Sequence, residues 1–149
     1  MIKLMFLGDR RIAWEVLQLL QSDPFRDFFQ VPVLVTGERL EQRYREIVDI
    51  APIVLRNDGR HTARLAGLLD EREIDCILSI QHNWVLPEPL IEAVDGKALN
   101  LHNGNIGKYK GYNAISYAIL NGDRYHNPTL HWMAAEVDCG PVAYEGSVE

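Results

Sequence analysis

A polar pair sits where an apolar strand gives way to a loop. The run Ala98-Leu99-Asn100-Leu101-His102 opens into Asn103-Gly104-Asn105-Ile106-Gly107-Lys108-Tyr109-Lys110-Gly111. Asn100 and His102 are two residues apart, so an extended strand points both to the same face. Farther on, Leu130-His131-Trp132-Met133 leads to Val137-Asp138-Cys139-Gly140. An amide, an imidazole and a later carboxylate can move a proton while an oxyanion is stabilised. The plainer reading is a strand end whose polar groups satisfy nearby backbone. The segment Lys108-Tyr109-Lys110-Gly111-Tyr112-Asn113 and the Asp138-Cys139-Gly140 turn weigh against it.

The other histidines have ordinary readings. His61 and His126 read as solvated surface residues. His82 can line a ligand, but a loop histidine more often faces water. His131 alternates with Leu130 and Trp132 and reads as a packed, hydrogen-bonded strand residue. His102, His131, Asp138 and Cys139 have neither the i, i+4 spacing nor the CxxC spacing of a zinc site, so no metal is expected.

The elements that must position these groups follow from periodicity. Residues 2–7 form a short, nearly continuous apolar run that predicts a buried strand ending at Gly8. Asp9 is placed to cap a helix with Ile12, Ala13, Val16, Leu17, Leu19 and Leu20 on one stripe. Residues 31–36 predict a second strand, and Pro32 restricts it to its beginning or to an edge. The charged stretch 37–49 reads as a helix over a solvated face, and 52–55 as a short third strand. A helix over 61–72 and a strand over 75–80 follow. Pro87 opens a short helix over 87–93. After the strand 98–102 comes a helix over 113–120 with Ile115, Ala118 and Ile119 inward, stopping at Asn121-Gly122. Strands are expected over 129–133 and 142–145. This alternation predicts an α/β fold with a Rossmann-like open, mostly parallel sheet flanked by helices. Ligands in such sheets sit beyond the carboxyl ends of the strands, where the loops after Leu7, Ile80 and Leu101 fall.

Composition narrows the class. A chain of 149 residues, 47% hydrophobic, suffices for one domain with a core. Its net charge of -6 argues against general nucleic-acid affinity. Cys76 and Cys139 are far apart, so a reduced cytoplasmic protein is the simplest reading, and no membrane partner is expected. The apolar run at 2–7 is too short for a signal peptide or a membrane span. Gly8-Asp9-Arg10-Arg11 lacks a dinucleotide fingerprint, and no phosphate-cradling P-loop motif occurs.

Leu99-Asn100-Leu101-His102, Lys108-Tyr109-Lys110-Gly111, Ala118-Ile119-Leu120-Asn121-Gly122, Thr129-Leu130-His131 and Val137-Asp138-Cys139-Gly140-Pro141 together resemble the folate-dependent formyltransferases. That family includes methionyl-tRNA formyltransferase, glycinamide ribonucleotide transformylase and the nucleotide-sugar N-formyltransferases. His102-Asn103-Gly104 and Leu130-His131-Trp132-Met133 look most similar to the sugar enzymes, because the tRNA and purine enzymes usually carry proline and serine after the histidine. The resemblance implies that Asn100, His102 and Asp138 are catalytic. It implies N10-formyltetrahydrofolate as co-substrate and the amine of a nucleotide-linked dideoxy amino sugar as acceptor, in a cytoplasmic enzyme for which a homodimer is a candidate assembly. Asn100 would donate to the oxygen of the tetrahedral intermediate, an effect worth about 3–4 kcal/mol where one such donor is removed. Which of His102 and Asp138 takes the amine proton stays open.

By the same resemblance the folate pocket lies against Trp84, Val85 and Leu86 and the backbone from Glu136 through Cys139 to Gly140. Lys108, Tyr109, Lys110, Tyr112 and Asn113 would meet the acceptor. Gly107 stands where relatives usually carry a proline, which removes a fixed φ beside His102. Relatives continue past the stretch matching Val142 to Glu149, so residues 1–149 are expected to be a catalytic domain lacking later elements. Three alternatives stand beside the sugar reading: a formyltetrahydrofolate hydrolase, a methionyl-tRNA formyltransferase-like enzyme, and a non-catalytic module binding folate or a nucleotide sugar.

Overall fold

Alternation along β1 (Ile2–Gly8) decides the layering. In the computed structural model, which describes residues 1–37, 51, 53–56 and 61–149, everything from Leu4 to Gly8 is buried. Leu4 and Phe6 pack with Ala13, Trp14, Leu17 and Leu20 of α1 (Arg11–Leu20). Met5 and Leu7 point to the opposite face, onto Leu65, Leu68 and Leu69 of α2 (Thr62–Glu71) and Leu90 and Ile91 of α3 (Glu88–Glu92). A strand buried on both faces needs a continuous apolar run, and this one has it.

Among the described residues the sheet has seven strands, in the order β3 (Val54–Arg56), β2 (Phe29–Thr36), β1, β4 (Cys76–Ile80), β5 (Ala98–His102), β6 (Thr129–Trp132) and β7 (Val142–Glu145). β2, β3, β4 and β5 run parallel to β1. β6 and β7 then add antiparallel. This is the open, mostly parallel α/β sheet that the sequence predicts. Helix α4 (Ala114–Leu120) lies between β5 and β6 in the chain. No helix among the described residues is long and apolar enough to cross a membrane.

Several expectations need correction. Asp9 does not cap α1. The cap residue is Arg10, without a side-chain cap bond, and the Asp9 carboxylate instead accepts the Asn83 N–H at 2.9 Å. Pro32 is the fourth residue of β2, a strand with neighbours on both sides. It is tolerated because β3 pairs only with residues from Leu34 onward and because the β1–β2 register shifts between Lys3 and Met5. Ile115 and Ile119 are exposed rather than inward, and α4 buries Ala114 and Ala118. The helix sits so close to the loop after β5 that a Cβ on Gly104 would lie 2.6 Å from that of Ala114. Only a small side chain fits that face. Of the charged stretch 37–49 only Gly37 is among the described residues, and Pro52 lies outside them.

Leu17 is fully buried between α1 and the sheet, whereas Leu19 is 50% exposed. Leu17→Ala is therefore expected to cost about 2–5 kcal/mol in urea unfolding, and Leu19→Ala under about 1 kcal/mol.

Candidate active site

The strand order reverses between β1 and β4, and such a switch point leaves a crevice beyond the carboxyl ends of the strands. A cleft of about 420 Å³ opens there, and Asn100, His102, His131 and Asp138 all line it. Three non-glycine residues on its wall, Gln81 (φ 48°), Asn113 (φ 65°) and Asp138 (φ 53°), hold left-handed backbone. Such strain concentrates where side chains must be aimed.

Register brings the polar groups together. In the antiparallel pair of β5 and β6, Asn100 stands opposite His131 and His102 opposite Thr129. Opposite residues project from the same face and touch. The Asn100 amide nitrogen lies 3.1 Å from His131 Nε2. Thr129 Oγ1 donates to the Gly104 carbonyl at 2.9 Å, which fixes the turn that follows His102.

Asp138 arrives from the loop between β6 and β7. Its Oδ2 accepts the Gly111 N–H at 2.8 Å and lies 3.2 Å from His102 Nδ1, while Oδ1 lies 3.4 Å from His131 Nε2. Burial alone would push this carboxyl up. The Gly111 N–H and the two imidazoles beside the carboxylate outweigh burial and hold it below its ordinary value. Gly140 lets the loop cross β6, since any Cβ there would overlap the Trp132 carbonyl oxygen.

His102 is held at both ring nitrogens. Nε2 donates to the Tyr109 carbonyl at 2.6 Å, and Nδ1 faces the Asp138 carboxylate. A carbonyl only accepts, so Nε2 carries a proton, and Nδ1 is the ring atom turned to the carboxylate. The arrangement can thus present an imidazole, an amide donor and an ionised carboxylate to one small volume.

The remaining predicted residues divide between two places. Trp84, Val85, Leu86 and Glu136 line the cleft, as do Tyr112 and Asn113, and the Tyr112 hydroxyl donates to the Asn83 carbonyl at 3.4 Å. Lys108 and Tyr109 line a separate cavity of about 260 Å³, where both bond Asp123 at 2.5 and 2.9 Å. Lys110 donates to Cys139 Sγ at 3.0 Å, and neither these two nor Gly140 line the cleft. His126 is half-buried rather than solvated, with Nε2 2.7 Å from Asn103 Oδ1. His82 lines the cleft, and burial pushes its imidazole down against the pull of Asp9. His131 belongs to the central cluster, although its place on an alternating strand reads as packing. A signal that could have exposed it is an antiparallel β5–β6 pairing in that register.

Three comparisons bear on this cluster. A family model described as formyl transferase matches residues 27–149. The methionyl-tRNA formyltransferase of Streptococcus agalactiae serotype III (strain NEM316) is 29% identical over 158 residues, covering 100% of this chain and 50% of that protein. The chain spans about half the length of the curated relatives it matches. Among solved structures, glycinamide ribonucleotide transformylase 1 from Symbiobacterium toebii superposes with a TM-score of 0.81 at 20% identity, covering 99% of this chain and 73% of that one. A 4-N formyltransferase from Francisella tularensis gives 0.75 at 18% identity, covering 99% and 57%. At these identities the two structures speak for the fold alone.

Because the Asp138 carboxyl is held below its unfolded value, its contribution to stability is complete above about pH 4 and is lost as pH falls through the folded value. Urea unfolding between pH 5 and pH 3 should therefore show a smaller loss for Asp138→Asn than for the parent. Equal losses would contradict the donor arrangement around this carboxylate.

Proposed function

The chain belongs to the formyl transferase family, and on that premise we propose that it moves the formyl group of N10-formyltetrahydrofolate onto a primary amine. The observation that supports this most is the meeting of Asn100, His102 and Asp138, from a strand and a distant loop, in the cleft at the switch point. The cleft also suits a flat heterocyclic donor: buried Leu86 and Ile91 and half-buried Trp84 and Met133 give it an apolar wall.

In this reading the amine nitrogen attacks the formyl carbon and a C–N bond forms while the carbonyl oxygen gains charge. Asn100 donates a hydrogen bond to that oxygen, and His102, protonated in this reading, stabilises it through space. The new ammonium must lose a proton before the bond to the folate nitrogen breaks and that nitrogen is protonated. Both ring nitrogens of His102 are occupied, so the ionised Asp138 carboxylate is the group left to take the proton, directly or through water, and to pass it on to the folate nitrogen as the C–N bond to it breaks.

Two acceptor readings have their own support. Relatives such as the S. agalactiae protein carry the name methionyl-tRNA formyltransferase, which favours an aminoacyl-tRNA amine. The residues His102-Asn103-Gly104 and Leu130-His131-Trp132-Met133, together with the net charge of -6, favour a nucleotide-linked amino sugar. By name the relatives support the tRNA reading better.

A transfer assay with N10-formyltetrahydrofolate, offered methionyl-tRNA or nucleotide-linked 3- and 4-amino sugars, separates them by product mass. Asn100→Ala is expected to lower turnover about 10²–10³-fold. His102→Ala and Asp138→Ala are expected to bind folate yet transfer no formyl group. Undiminished turnover in any of the three removes its assigned role, and formate release without an amine would mark hydrolysis instead.

A further inference from the structure

His131 is 2% exposed in the wall of the cleft, and the transfer described above assigns it nothing. Its ring nitrogens are not equivalent. Nδ1 lies 2.9 Å from the Trp132 carbonyl oxygen. A carbonyl only accepts, so Nδ1 carries a proton, and Nε2 is the atom whose state is open.

Two neighbours compete for Nε2. The Asn100 amide nitrogen, a donor, is 3.1 Å away, and Asp138 Oδ1, an acceptor, is 3.4 Å away. A bare Nε2 accepts from Asn100. A protonated Nε2 would donate to Asp138 but would then oppose the donor hydrogens of the Asn100 amide. The Asn100 contact is the shorter. Asp138 already draws on Gly111 N–H at 2.8 Å and on His102 at 3.2 Å, so it does not need a third donor to remain ionised.

We propose that His131 is a positioning residue for the oxyanion donor: neutral, protonated on Nδ1, it accepts one N–H of Asn100 on Nε2 and so leaves the other for the formyl oxygen. A primary amide turned by half a rotation would set Asn100 Oδ1 against the bare Nε2, acceptor against acceptor. The neutral ring therefore excludes that orientation. The titratable and charged groups around it are Asp138 in the β6–β7 loop and His102 on β5, with Lys110 in the field of Asp138 and Glu136. This inference rests on the formyl-transfer reading for its consequence, but the hydrogen bond itself does not.

The test has two arms. In ¹⁵N NMR of the labelled protein at neutral pH, His131 should show a protonated Nδ1 and a bare Nε2. A scalar coupling should also cross the hydrogen bond from the Asn100 amide nitrogen. A ring protonated on Nε2, alone or in addition to Nδ1, overturns the proposal and makes Asp138 the partner.

In the transfer assay His131→Leu should lower kcat about tenfold, the worth of one neutral hydrogen bond, with KM for the folate unchanged. His131→Gln keeps an acceptor and should recover most of that loss. In an Asn100→Ala background His131→Leu should cost nothing further, because its effect passes through the amide. Losses that multiply in the double variant overturn the proposal. A parent protein that transfers no formyl group would refute the functional reading, while the NMR arm still decides the hydrogen bond.

Discussion

An ionised carboxylate taken out of water costs several kcal/mol unless donors replace the water, and Asp138 is met by three separate segments. Gly111 supplies a backbone N–H from the loop after β5, the His102 ring faces one oxygen from the end of that strand, and the His131 ring stands 3.4 Å from the other on β6. Each segment is in turn held by something else. Tyr109 accepts from His102, Trp132 accepts from His131, and Thr129 ties down the turn at Gly104. The buried charge is thus the hub around which the polar half of the molecule is organised.

The parallel half of the sheet supplies the rigid base for that hub. β1 is covered on both faces by α1, α2 and α3, so the carboxyl ends of β1 and β4 have little freedom. Asp9, at the end of β1, accepts the Asn83 N–H and so anchors the loop that carries Trp84, Val85 and Leu86. One wall of the cleft is apolar and belongs to that loop. The other is polar and belongs to β5, β6 and the segments tied to Asp138.

Most of this architecture is legible in the residues themselves. The strands 98–102 and 142–145 need no adjustment, because apolar runs punctuated by loop residues leave little choice. Asn100, His102 and Asp138 can be singled out by residue type and spacing. The failures share a cause: each depends on a neighbour distant in sequence. Ile115 and Ile119 form as good an apolar stripe as Ala114 and Ala118, and only the nearness of Gly104 selects the small pair. Asp9 has the right type to cap a helix but is drawn to Asn83 instead. His131 looks like packing because alternation tells which face a residue occupies, not what stands across from it.

The change of direction between β5 and β6 has a consequence for how this chain can vary in length. Antiparallel pairing sets Asn100 against His131 and His102 against Thr129. Because side chains alternate, a one-residue insertion or deletion within β6 would turn His131 and Thr129 away and bring Leu130 and Trp132 to face the cleft. Point substitutions there lose one group at a time, whereas a single-codon indel exchanges both faces at once. Length changes between Asn103 and Pro128 can be absorbed by the exposed parts of that connection, but inside the four residues of β6 they cannot.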